Sequence, residues 1–142
     1  MISPSVCDNT SVGVIARDKE GRILMIKRKR PPYGIAPPSG HLDGLTYPMA
    51  CFKEFEEETG LRIVGAPRPI LPKNPRKEFE CRRGGKYHIW QIFEVDWEGE
   101  LKPSDEETLG VQWYSTDEIR ELARKGLLEP TWHEFFRELN II

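Results

Sequence analysis

Lys53-Glu54-Phe55-Glu56-Glu57-Glu58-Thr59-Gly60-Leu61 is the stretch on which the fold and the chemistry both turn. Carboxylates at i, i+3 and i+4 share one face of a helix, so Glu54, Glu57 and Glu58 would converge on a point just off it. That convergence is unfavourable by itself. Like charges at helical spacing repel by roughly 0.2–0.5 kcal/mol per pair, and Glu57 and Glu58 lie near a helix C-terminus, where the macrodipole disfavours negative charge. An Mg²⁺ or Mn²⁺ ion would reverse the sign of both terms, since hard divalent cations take oxygen ligands and magnesium is usually held by a few carboxylates with phosphate oxygens and water. A run of glutamates is more often a solvated surface, so the neighbouring residues decide.

Working outward, the pattern predicts a helix over Thr46 to Thr59, with Thr46 capping the first turn, Pro48 where a missing N–H costs little, and Gly60 as the C-cap. Cys51, Phe52, Phe55 and Thr59 fall on a packing face, and Ala50, Glu54, Glu57 and Glu58 on an acidic one. Before it runs Pro38-Ser39-Gly40-His41-Leu42-Asp43-Gly44, a glycine-bearing loop able to bring main-chain groups to the same point.

Loop and helix together resemble the box of the Nudix hydrolases: Gly, five residues, Glu, seven residues, then Arg-Glu-apolar-x-Glu-Glu-x-Gly-apolar. Lys53 stands for the arginine, Glu54 for the next glutamate and Phe55 for the apolar position; Glu57-Glu58 are the acidic pair, followed by Gly60 and Leu61. Gly40 lies one residue late, and Leu45 occupies the place of the first glutamate. The resemblance implies a single domain over 1–142 of α/β (α+β) class, with a mixed β-sheet sandwiched between α-helices. It implies an Mg²⁺-dependent hydrolase, Mn²⁺ being the alternative ion, that cleaves the diphosphate linkage of a nucleotide or another nucleoside diphosphate-linked small molecule. Glu54, Glu57 and Glu58 carry over as metal ligands, with the Gly40 carbonyl as a main-chain ligand. For the general base the family uses a box glutamate or one on a later loop, here Ser104-Asp105-Glu106-Glu107. Glu107 ranks first and Glu54 second.

Around the box, Thr10 to Arg17 and Ile23 to Ile26 read as a hairpin closed by Asp18-Lys19-Glu20-Gly21. Four prolines between Pro31 and Pro38 forbid a regular helix or interior strand, making a stiff loop at the edge of a site. Leu61 to Lys73 reads as an edge strand or an extended loop, since Pro67, Pro69 and Pro72 argue against a central strand. Lys77 to Cys81 and Tyr87 to Asp96 read as a long hairpin closed by Arg82-Arg83-Gly84-Gly85-Lys86, and Leu109 to Tyr114 as a further strand. Helices are expected over Thr116 to Lys125, capped by Thr116 or Ser115, and over Thr131 to Leu139, capped by Thr131.

A diphosphate needs positive partners, and the candidates are Arg28, Lys53, Arg68, Arg82, Arg83 and Lys86. Arg28 ranks first because it ends the second strand just before the proline-rich loop. Tyr33, Tyr87, Trp90 and Trp113 are candidates to stack on a base, although strand aromatics are more often core. His41, His88 and His133 show no common ligand spacing, and Cys7, Cys51 and Cys81 suit neither a disulfide framework nor a zinc knuckle.

The bulk composition bounds the remainder. The 142 residues carry a net charge of −2, against a general nucleic-acid-coating surface, and 38% hydrophobic with 31% charged residues is an ordinary globular composition. No leader pattern or long apolar run is seen, so a cytoplasmic protein with no membrane partner is expected, with a homodimer as the default assembly. Two rival functions stand beside the hydrolase. A Nudix-fold nucleotide- or protein-binding module without turnover is motivated by Leu45 and Lys53. An isoprenoid-diphosphate isomerase would call for a cysteine and a glutamate facing an apolar pocket, and no cysteine is obviously placed for that.

Overall fold

The computed structural model describes residues 6–71, 74–106 and 108–142. Its organising feature is a strand buried on both faces. β1 (Thr10–Ala16) pairs in parallel with β7 (Tyr87–Glu98) and antiparallel with β4 (Ser39–Gly40). β7 also pairs with the edge strand β5 (Arg62–Pro69) and with β6 (Arg76–Glu78), completing a five-stranded mixed sheet. A second, antiparallel sheet of three strands runs in the order β3 (Ile35–Ala36), β2 (Ile23–Arg28), β8 (Thr108–Tyr114).

The period-2 alternation of the strands sorts their side chains into two cores. Val12, Val14, Ala16, Leu24, Phe93 and Val95 pack with Ala50, Cys51 and Phe55 of α1 (Tyr47–Thr59). On the opposite parity, Ile15, Ile23, Met25, Trp90 and Ile92 pack with Ile119 of α2 (Thr116–Arg124) and with Trp132, Phe135 and Phe136 of α3 (Pro130–Glu138). Gly13 marks how closely α3 approaches: a β-carbon there would meet Ile92 Cδ1 and Trp132 Cη2 at 2.8 Å. Helices therefore cover both faces of the strands, the α+β arrangement expected, but the strands form two sheets rather than one.

That division corrects the expected first hairpin. Asp18 and Gly21 close the turn as read, with Asp18 N–H donating to Arg22 O at 3.0 Å, and Arg17 bridges Ile23. Beyond that bridge β1 and β2 enter different sheets. The second hairpin forms with its turn at the expected glycines, but β6 spans three residues rather than a long strand. β5 lies at a sheet edge, and its pairing with β7 shifts register between Val64 and Arg68 around Pro67. Pro72 lies outside the described residues.

Helix signals translate closely. Thr46 caps α1 by accepting from Met49 N–H, and Gly60 ends it at φ 78°. Ser115 and Glu118 form a reciprocal capping box on α2. For α3 the cap is Glu129 rather than Thr131: its carboxylate accepts from Thr131 N–H at 2.8 Å and Trp132 N–H at 3.4 Å. Among the described residues, no helix is long and apolar enough to cross a membrane.

Candidate active site

The acidic helix and the box loop meet in one cleft of about 550 Å³, whose walls include Arg28, Pro31, Pro32, Gly40, Lys53, Glu54, Glu57, Glu58 and Arg82. α1 faces that cleft because its apolar residues are committed elsewhere: Cys51 and Phe55 are buried in the core, and helical periodicity turns the glutamates away from them. The proline-rich loop is indeed at the site's edge.

The three carboxylates are not equivalent. Glu57 is exposed, with 58% of its side chain accessible, whereas Glu54 keeps 15% and Glu58 is only 5% exposed as a residue. Glu58 Oε2 accepts the Ser39 N–H at 3.2 Å, which ties the end of the helix to β4. Glu54 packs onto the next residue of that strand: a β-carbon on Gly40 would lie 2.5 Å from Glu54 Oε2, so any side chain there would displace the Glu54 carboxylate. The sequence spacing thus brings Gly40, Glu54, Glu57 and Glu58 together, but it did not reveal that Glu58 would be inside. Lys53 lies among them, with Nζ 3.8 Å from Glu54 and 3.6 Å from Glu57. Leu45, where the resemblance expects a glutamate, packs against the core beneath α1 and also borders the cleft.

Of the basic candidates, Arg28 stands at the cleft wall with Nε donating to Pro32 O at 2.6 Å and a guanidinium nitrogen 3.4 Å from Ser39 Oγ. Arg82 is exposed in the cleft wall. Arg83 is committed to a bidentate pair with Asp43, at 2.6 and 3.1 Å, and that guanidinium holds the Asp43 carboxyl below the usual carboxylate range. Arg68 lies on β5, paired with Asp96 at 3.1 Å, and Lys86 is exposed away from the cleft walls.

Tyr33 is a correction. It is 64% exposed and does not line the cleft, because the chain reverses at Gly34 (φ 126°) to pair Ile35 with β2. Trp90 is core, Trp113 is half-buried against the α1 core near Trp97, and half-buried Tyr87 carries Arg76 over its ring outside either core. Glu107 lies outside the described residues. Its loop is tied to the basic end of β2 by Lys29 Nζ, which donates to Asp105 O at 2.8 Å.

Two functional signals were missed. Glu129 is 2% exposed and borders the cleft; burial raises its carboxyl above the ordinary value. More unexpectedly, Cys7, His41, Cys81 and His88 gather at one end of the cleft with their ligand atoms within 4.8 Å of one another. The histidines and cysteines were expected to share no such site, and Cys81, with no obvious role in the sequence, lines the cleft. Their separations along the chain, 34, 40 and 7 residues, fit no short motif, and only the pairing of β1, β4, β6 and β7 brings them together. Cys51 is buried in the α1 core and His133 contacts Arg137 on α3.

A larger hollow of about 700 Å³ is lined by residues of the β1–β2 turn, β7 and Trp113, and several of its charges pair across it, Arg17 with Glu94 and Arg22 with Asp18. It contains none of the acidic-helix residues.

The NUDIX domain family model matches residues 8–135 of this chain. No curated protein sequence matches it. Among solved structures it is similar to a MutT protein from Methanosarcina mazei Go1, at 20% identity over 92% of this chain and 91% of that one, with TM-score 0.74. An Ap4A hydrolase from C. elegans, in a binary complex, matches at 18% identity over 92% and 96%, TM-score 0.62. A bifunctional NMN adenylyltransferase/ADP ribose pyrophosphatase from Francisella tularensis, complexed with AMP and a manganese ion, matches at 23% identity over 97% of this chain and 43% of that one, TM-score 0.66.

Proposed function

The chain belongs to the NUDIX hydrolase family, and from that premise we propose that it is an Mg²⁺-dependent pyrophosphohydrolase of a nucleoside diphosphate-linked substrate. The observation that carries this reading is the single cleft shared by Glu54, Glu57, Glu58 and Gly40 with Arg28, Lys53 and Arg82. Acidic oxygen donors and basic donors lining one cleft match the two needs of a diphosphate: cations for its oxygens and a polar seat for its charge.

The donor set fits a hard divalent ion. Glu54, Glu57 and Glu58, with the Gly40 carbonyl, would hold Mg²⁺, or Mn²⁺ in its place, and the bound ion supplies charge neutralisation at phosphoryl oxygens and lowers the pKa of bound water. Fixed geometry is already present in the protein, because Glu58 is hydrogen-bonded to β4 and Glu54 is wedged against Gly40. Arg28, positioned by Pro32 and Ser39, and the more exposed Lys53 and Arg82 would receive the phosphates. A water oxygen attacks one phosphorus, its proton passes to a carboxylate, and the phosphorus–oxygen anhydride bond breaks with the electron pair leaving on the departing phosphate. Glu107 is the favoured base and Glu54 the second.

Substrate class stays with nucleoside triphosphates, ADP-ribose, nucleotide sugars and dinucleoside polyphosphates, because the shared chemistry reads the diphosphate and variable loops read the rest. A homodimer in the cytoplasm is part of the same proposal. The test is phosphate or nucleotide release from a panel of those substrates with Mg²⁺, with Mn²⁺ and with EDTA. Turnover of at least one substrate, abolished by EDTA and restored by Mg²⁺, is expected. Silence across the panel in folded protein would favour a binding module, the reading that the Lys53 ammonium between Glu54 and Glu57 supports.

A further inference from the structure

We propose that Cys7, His41, Cys81 and His88 form a tetrahedral zinc site that clamps the box loop to the N-terminal segment and to the β6–β7 hairpin. It is separate from the acidic helix in residues and in donor chemistry, and its failure would leave the hydrolase reading untouched.

The distances carry the argument. Cys7 Sγ stands 3.4 Å from His41 Nε2 and 3.5 Å from His88 Nε2, and Cys81 Sγ stands 3.6 Å from His41 Nε2. With bonds of about 2.3 Å to sulfur and about 2.0–2.1 Å to nitrogen, the ligand atoms of a tetrahedral Cys₂His₂ site lie about 3.3–3.8 Å apart. Hydrogen bonding alone accounts for these contacts poorly. Each thiol has one proton and each neutral imidazole offers one lone pair, so two S–H···N bonds leave the third contact unmade. One central cation takes a lone pair from all four atoms.

The surroundings hold the ligand side chains in place. Asn9, at φ 59°, turns its backbone N–H onto Cys7 Sγ at 3.3 Å. Two thiolates, two imidazoles and a divalent ion sum to zero charge, which lets the cluster sit under the cleft without an uncompensated buried ion. His88 is 1% exposed, stacked on Phe79 with ring centroids 4.0 Å apart, and its aim is therefore fixed. Gly85 leaves room for Cys7, since a β-carbon there would collide with the sulfur.

Function follows from connectivity. His41 directly follows Gly40, the residue against which Glu54 packs, and Cys81 precedes Arg82 of the cleft wall. Asp8 reinforces the same junction by accepting from Asp43 N–H at 2.9 Å, while Asp43 holds Arg83. A metal clamp at this point would fix the loop that presents Gly40 to the acidic helix.

The experiment is zinc analysis of the desalted full chain, with Co²⁺ replacement as a spectroscopic probe, on wild type, Cys7→Ser, Cys81→Ser and Glu57→Gln. Wild type and Glu57→Gln are expected to hold about one zinc per chain, and the cysteine variants less than ~0.1. Co²⁺-loaded wild type should show thiolate-to-cobalt charge transfer and intense tetrahedral bands that Cys7→Ser loses. A strong chelator, with Mg²⁺ restored, should lower the Tm by ~10 °C or more. Zinc retained by folded Cys7→Ser, folded wild type that binds neither zinc nor tetrahedral cobalt, or a Cys7–Cys81 disulfide in protein isolated without reductant would each overturn the proposal. Cys7 is only half-buried, so its variant keeps the test decisive even if Cys81→Ser fails to fold.

Discussion

Glu54, Glu57 and Glu58 were legible as a convergent set because helical spacing is a local property, but their separate environments were not. Burial of Glu58 against Ser39 and contact of Glu54 with Gly40 depend on β4 docking beside β1, which no local pattern encodes. The same holds for Arg83: it is indistinguishable from Arg82 in sequence, yet Asp43, forty residues away, takes it out of the phosphate-binding pool. Gly40 provides the residue-scale prediction. Gly40→Ala places a methyl group where the Glu54 carboxylate lies and should cost about 1–3 kcal/mol of stability through overpacking. Turnover should fall as well, since Glu54 must move; chemical denaturation and steady-state kinetics on the same sample would check both effects.

Elements were read more accurately than their partners. The caps of α1 and α2 stood out because capping is a local side chain-to-backbone transaction, whereas the first hairpin was misread because sheet membership is decided by distant strands. Phe55 anchors the packing face of α1 and is 0% exposed. Phe55→Ala should therefore cost about 3–5 kcal/mol, seen as a lowered denaturation midpoint. On α3 the buried cap Glu129 has a consequence for pH. Its carboxyl is raised by burial, so the folded state keeps that proton to higher pH than the unfolded state does. Folded protein then binds more protons in the window above the ordinary carboxylate value, and stability falls as pH rises through it. Glu129→Gln retains an acceptor for Thr131 and Trp132 N–H, and its Tm should decline less than that of wild type as pH rises above the ordinary carboxylate range. Parallel declines would show that Glu129 does not supply the slope.

At the scale of the molecule, two cores flank shared strands, and this layering turns one face of α1 into the hydrophobic interior and the other into the cleft. The family match over residues 8–135 and the similarity to solved MutT and Ap4A hydrolase structures agree with the fold read from the box. What the box could not convey was the convergence of Cys7, His41, Cys81 and His88, a product of topology alone. We propose that the acidic face of α1 performs metal-dependent hydrolysis. Its most direct test compares Mg²⁺-dependent turnover by wild type and Glu57→Gln on the best substrate of the panel, with matched thermal melts. Glu57 is exposed, so the substitution should leave the melt unchanged while turnover falls by ~100-fold or more. Near-normal turnover by the folded variant would contradict the assignment.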